Sequence, residues 1–245
     1  MARLPRKHSE SGYSHIIIRG NGKQILFEER EDHVFFLSIL KRYSKETSVI
    51  ICAYCLMENH VHLLVYDPND QLSLFMKKLG VSYSGYFNHK YDRVGHVFQG
   101  RYISEPVESE SYLLTVFRYI LNNPHKAGIC PAAEYEWNSY KLYGSKNSFV
   151  DTGIFQELIG GWNSYSAFIA GENDDQCLEY EDHRHDDEWA KAVIQKELNL
   201  SSGTLLKAWP FDKRNAALRS LKEKGLSLRQ IERLTGINRR SVKNA

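Results

Sequence analysis

Hydrophobic and polar positions divide the chain into a short series of elements. His15-Ile16-Ile17-Ile18-Arg19 is an apolar run of strand length, and Gly20-Asn21-Gly22 supplies the turn after it. Over residues 31–44, Val34, Leu37 and Leu40 recur at helical spacing. Residues 49–57 and 60–66 read as strand material, either a hairpin turning at Glu58-Asn59 or one bent strand. Residues 71–90 are amphipathic, with Leu72, Phe75, Leu79, Tyr83 and Tyr86 or Phe87 on one stripe. A further strand is expected within residues 97–107. In residues 109–123, Leu113, Val116, Phe117 and Ile120 are spaced 0, 3, 4, 7, and Pro124 is expected to stop that helix. Antiparallel strands interspersed with helices predict an α+β fold, a sheet with helices packed on it, over about residues 10–145.

The C-terminal pattern differs. Ser227 and Gln230 have capping-box spacing, and Leu228, Ile231 and Leu234 follow at helical intervals. Thr235-Gly236 makes a turn, and Asn238 can cap a second helix carrying Arg239, Arg240, Val242 and Lys243. This is the outline of a helix-turn-helix, shared by helical pairs that bind nothing. A small all-helical basic domain is therefore expected at the C-terminus.

Charge sharpens that division. The 245 residues carry 32 Lys and Arg against 30 Asp and Glu, so the net charge is only +2. Residues 171–190, however, hold nine acids and one base, Arg184. Residues 205–245 hold eleven Lys or Arg and three acids, a balance of +8. A polyanion-binding module on a solvated linker fits this pattern, as do two oppositely charged faces that attract each other. The expected organisation is a domain over 1–148, an acidic linker over 149–187 and a helical DNA-binding domain over 188–245. No apolar run approaches the about 18 residues of a membrane span. The basic N-terminal residues precede no apolar stretch, and four cysteines make no disulfide framework. A cytoplasmic protein is the expectation.

Candidate chemistry concentrates in Met57-Glu58-Asn59-His60-Val61-His62-Leu63-Leu64. On a strand, His60 and His62 share one face while Val61 and Leu63 serve the other. Two imidazoles so placed can hold one cation, and two surface histidines look the same. Cys52 and Cys55, an odd offset apart on a strand, are expected on opposite faces, which argues against zinc. Tyr119 and Asn123 stack one turn apart on the flank of their helix. Together they can face a polar site; separately they are a tyrosine at a core edge and an asparagine ending a helix.

These segments resemble the HUH-superfamily single-tyrosine transposases, in the insertion-sequence and REP-associated tyrosine transposase group. The likeness is carried by His15-Ile16-Ile17-Ile18-Arg19-Gly20-Asn21, by the segment around His60 and His62, by Gly95-His96-Val97-Phe98-Gln99-Gly100-Arg101-Tyr102 and by Arg118-Tyr119-Ile120-Leu121-Asn122-Asn123-Pro124. Glu58 stands where relatives often have proline, and residues 150–245 are not covered. The resemblance implies a ferredoxin-like HUH palm with the histidines on a central strand. It implies His60 and His62 as metal ligands and catalytic residues, Asn123 as the third metal ligand and Tyr119 as the nucleophile. It implies Mg2+ or Mn2+ as the cofactor.

The implied activity is transposition: cleavage and rejoining of single-stranded DNA through a 5′-phosphotyrosine, with a free 3′-hydroxyl released. Hairpin structure is expected in the DNA, and flanking duplex is a candidate ligand of the C-terminal domain. Candidate DNA contacts are Arg19, Lys90, Arg93, Arg101, Arg239, Arg240 and Lys243. At least half of the aromatics at 83, 86, 87, 91, 98 and 102 are expected in the core rather than stacked on bases. The relatives include dimers and monomers. The alternative is a non-catalytic DNA-binding regulator derived from a transposase. A small-molecule phosphoesterase is disfavoured, because no second His-x-Ser or His-x-Thr is apparent and position 64 is leucine.

Overall fold

Strands β1 (Tyr13–Arg19), β2 (Ile50–Met57), β3 (His60–Tyr66) and β4 (Ile103–Pro106) form an antiparallel sheet in spatial order β2-β3-β1-β4. Helix α1 (Arg30–Thr47) lies between β1 and β2, and α2 (Leu72–Lys90) between β3 and β4. This β-α-β-β-α-β order is ferredoxin-like. The computed structural model describes residues 8–171, 175, 177–178, 187–200 and 202–245. The basic residues Met1 to Lys7 lie outside that range. The chain divides into two units, Met1–Tyr180 and Glu181–Ala245. Among the described residues, no helix is long and apolar enough to cross a membrane.

Strand alternation splits the core of the first unit into two layers. Ile16, Ile18, Val61, Leu63, Val65, Tyr54 and Leu56 pack with Phe36 and Leu40 of α1 and Phe75, Leu79, Tyr83 and Phe87 of α2. On the opposite face, Cys55, Met57 and Leu64 meet Leu113, Val116, Phe117 and Ile120 of α3 (Glu110–Leu121). The 0, 3, 4, 7 stripe is thus the buried face of α3. Ser109 starts this helix by accepting the Tyr112 backbone N–H.

Several expectations are refined. Residues 50–66 form a two-residue hairpin at Glu58-Asn59, and the strand expected within 97–107 is confined to Ile103–Pro106. The opposite-face placement of Cys52 and Cys55 is wrong. A bulge between Ile51 and Ala53 adds one residue to β2, and both cysteines pack in the same core layer. They are buried free thiols, held protonated by desolvation. The helix over this stretch, α3, ends at Leu121, just ahead of Pro124 as expected, but the proline does not close off helical structure beyond it. It occupies the first turn of α4 (Asn123–Lys126), where its missing N–H has no bond to make.

From the stretch expected as a linker over 149–187, α5 (Gly153–Ile159) and α6 (Trp162–Ala170) pack on α3. Phe155 stacks on Phe117 at 3.8 Å and Tyr165 on Tyr143 at 3.8 Å. Most of the acidic residues that follow, Glu172, Asp174, Glu179, Glu181, Asp182 and Asp186, lie outside the described residues, as does Arg184.

The second unit is helical. Helices α7 (Asp187–Leu198), α8 (Phe211–Glu223), α9 (Leu228–Thr235) and α10 (Arg239–Asn244) enclose Ile194, Leu206, Leu218, Leu221, Ile231 and Val242. Ser227 and Gln230 form the capping box of α9, and Asn238 caps α10 by accepting from Ser241 N. Gly236 ends α9 at φ +67°, a left-handed conformation that glycine adopts without strain.

Candidate active site

The register of β1, β2 and β3 assembles a polar cluster on the face that meets α3. Arg19 pairs with His60, Ile17 with His62, and Met57 and Cys55 pair with the same two histidines from the other side. His60 and His62 therefore sit on a central strand with both imidazoles on one face. Their ring centroids are 4.9 Å apart. Tyr119, buried on α3, brings its ring to 5.8 Å from His62 and 6.0 Å from His15. Asn123, one turn further along, donates its amide nitrogen to the Tyr119 carbonyl at 3.2 Å. A cavity of about 270 Å³ is lined by Arg19, His60, His62, Tyr119, Asn123 and Lys126, among others. A larger, mainly apolar cavity of about 540 Å³, including Pro131, Ala132 and Ile169, adjoins it at Lys126.

Hydrogen bonds and burial fix the state of these groups. His60 Nδ1 lies 2.8 Å from Asn59 Oδ1. An amide oxygen only accepts, so the His60 proton is on Nδ1 and the lone pair on Nε2. His62 Nδ1 lies 3.0 Å from Nε2 of the fully buried His15. Burial lowers the His62 pKa well below its ordinary value, with His15 and His60 adding in the same direction. Desolvation lowers His15 to about 3. His62 and His15 are thereby held neutral near pH 7, and a neutral ring is what ligation by His62 requires. Lys126 places its ammonium 4.4 Å from the Tyr119 ring centroid and donates to the Asp175 carbonyl.

The donor chemistry fits a divalent cation: imidazole nitrogens from His60 and His62 and an amide oxygen from Asn123, all lining one cavity. Among the described residues, no group of three or more His, Cys, Asp or Glu is disposed to hold a metal. An ion here would therefore complete its shell with non-protein oxygens, leaving room for a phosphate.

The expected DNA contacts do not gather at this cavity. Arg19 lines it. Arg93 is exposed and donates to Gln24 Oε1 at 2.7 Å. Arg101 lines a separate cavity of about 260 Å³ with Met76 and Lys77 of α2. Lys90 is committed internally, 2.7 Å from buried Asp32 and 2.8 Å from Glu29. Of the six aromatics, Tyr83 and Phe87 are fully buried, and Tyr86 and Tyr91 donate to Asp32. Phe98 and Tyr102 pack against the same core layer. In the second unit, Arg239 is paired with Glu232 at 2.7 Å, whereas Arg240 and Lys243 are exposed.

Two residues, one lining the cavity and one behind it against His62 and Tyr119, were not singled out from the sequence. Lys126 lies three residues beyond Asn123 on the stripe begun by Tyr119, a continuation hidden by treating Pro124 as a stop. His15 shares a strand face with Ile17 and Arg19, a parity masked by the apolar run around it.

Residues 8–123 match the family described as IS200-like transposases. A solved structure of a REP-associated tyrosine transposase bound to a REP hairpin aligns with 62% of this chain and 92% of its own. The two share 14% identity with a TM-score of 0.50, a likeness of fold. A crystal structure of a candidate transposase from Deinococcus radiodurans R1 aligns with 49% of this chain and 96% of its own, at 20% identity and a TM-score of 0.35. No match was found among curated proteins.

Proposed function

From the match of residues 8–123 to the IS200-like transposase family, we propose that the chain cuts and rejoins single-stranded DNA with Tyr119 as its nucleophile. The observation that carries this proposal is the convergence of His60 and His62 of β3, Tyr119 of α3 and Asn123 of α4, far apart in sequence, on one cavity. The Tyr119 oxygen attacks the scissile phosphorus, the P–O3′ bond breaks, and the 3′ oxygen leaves and takes up a proton. The phenolic proton passes to solvent, because among the described residues none that lines the cavity carries a carboxylate to accept it. The product is a 5′-phosphotyrosine and a free 3′-hydroxyl. Attack by another 3′-hydroxyl reverses the chemistry and returns the proton to Tyr119, so rejoining needs no ATP.

His60, His62 and Asn123 would hold Mg2+ or Mn2+, which supplies positive charge to offset that developing on the phosphate. Lys126 and Arg19 add fixed positive charge beside the same position. The solved relative bound to a REP hairpin supports a DNA strand with hairpin structure as substrate. Arg240 and Lys243 are the cations we assign to flanking duplex.

End-labelled single-stranded DNA from the protein's own genomic flanks, with Mn2+, tests the proposal. Wild type should cleave it, and His62→Ala and Asn123→Ala should not. Lys126→Ala should slow cleavage about tenfold or more, less than loss of a fully enclosed donor because this ammonium is solvent-accessible. Binding without cleavage, where an active relative cleaves its own flanks under the same conditions, would instead favour the regulator.

A further inference from the structure

We infer that His15 is a positioning residue for His62: its Nε2 accepts the His62 Nδ1 proton and keeps the His62 lone pair on Nε2, the nitrogen available to the cavity. The two nitrogens are 3.0 Å apart, and both side chains are buried. One of the two must carry the shared proton. If His15 carried it, His62 would be protonated on Nε2 and would present an N–H donor, unable to ligate a cation. If His62 carries it, Nε2 is a ligand, matching the state that Asn59 imposes on His60. A cation cavity selects the second arrangement, in which metal-binding histidines give their other N–H to a neighbouring acceptor.

Packing alone gives no reason for an imidazole at position 15. The side chain is fully buried, and among the described residues its Nδ1 has no hydrogen-bond partner. Such an atom is destabilising, and leucine would fill the same space without it. The side-chain hydrogen bond His15 does make goes to His62. The assignment deepens the proposed function, but the proton position on His62 can be read without metal or DNA.

The test combines imidazole 15N–1H correlation spectra of the metal-free full chain with Mn2+ titration, using His15→Leu and His15→Gln. In wild type, His62 should carry its proton on Nδ1. His15→Leu should abolish that preference and weaken Mn2+ binding about 10- to 100-fold, with a thermal midpoint unchanged or raised. His15→Gln, whose Oε1 can accept the same proton, should keep Mn2+ affinity within a few-fold of wild type. Protonation of wild-type His62 on Nε2, or unchanged Mn2+ binding in His15→Leu, overturns the inference. Wild type that takes up no Mn2+ counts against the metal site itself, while the spectrum still decides the role of His15.

Discussion

At the residue scale, position along the chain says little about which charge a basic side chain meets. Lys90 looks like a DNA contact until Asp32, 58 residues earlier, is found beneath it. Asp32 is fully buried and accepts from Lys90, Tyr86, Tyr91 and the backbone N–H groups of Glu28 and Glu29. Desolvation opposes its charge, but Lys90 and the other donors together hold its pKa below the ordinary value. Its contribution is therefore fully present above the unfolded pKa of about 3.9, and is lost as pH falls through the lower folded value. Asp32→Asn should cost about 3–5 kcal/mol near pH 7, toward the lower end because Glu29 still pairs with Lys90. Urea unfolding across pH should show that gap closing in acid; a gap independent of pH would contradict it. The cluster at His60, His62, Tyr119 and Asn123 was legible because strand parity and one-turn helical spacing are local rules. Partners brought together by the sheet, such as His15 with His62, were not.

At the element scale, the strands and the first three helices followed from periodicity, and the departures have local causes. A single bulged residue in β2 overturned the parity argument for Cys52 and Cys55. α3 ends ahead of Pro124 as its sequence implies, but the one-turn helix α4 that follows was not anticipated, although the first turn of a helix tolerates proline. The acidic composition after Gly171 drew attention from Phe155, Tyr165 and Ile169, whose apolar side chains complete the layer over α3. Phe155→Ala should consequently destabilise the Tyr119-bearing unit by about 3–5 kcal/mol, the range for a buried aromatic truncated to alanine. Equilibrium unfolding with a probe in that unit measures it. A cost under about 1 kcal/mol would mean that α5 is an appendage.

At the scale of the whole molecule, charge pattern anticipated a basic helical unit at the C-terminus, and the structure contains one. The charges of that unit divide in two: Arg239 is paired with Glu232, while Arg240 and Lys243 are exposed. The four proposed site residues, His60, His62, Tyr119 and Asn123, line one cavity of a single chain, with the Tyr119 ring 5.8 Å from His62 of the same molecule. Mixing Tyr119→Phe with His62→Ala should therefore restore no cleavage. Recovery toward half of the wild-type rate would show that subunits exchange the tyrosine.

The most direct test of the central claim is the chemical identity of the adduct. Full-length protein would be incubated with single-stranded flank DNA and Mn2+, digested, and the DNA-linked peptide sequenced by mass spectrometry. The account predicts a 5′-phosphate on Tyr119, absent from Tyr119→Phe. A phosphate carried by another residue, or an adduct that persists in Tyr119→Phe, would contradict it.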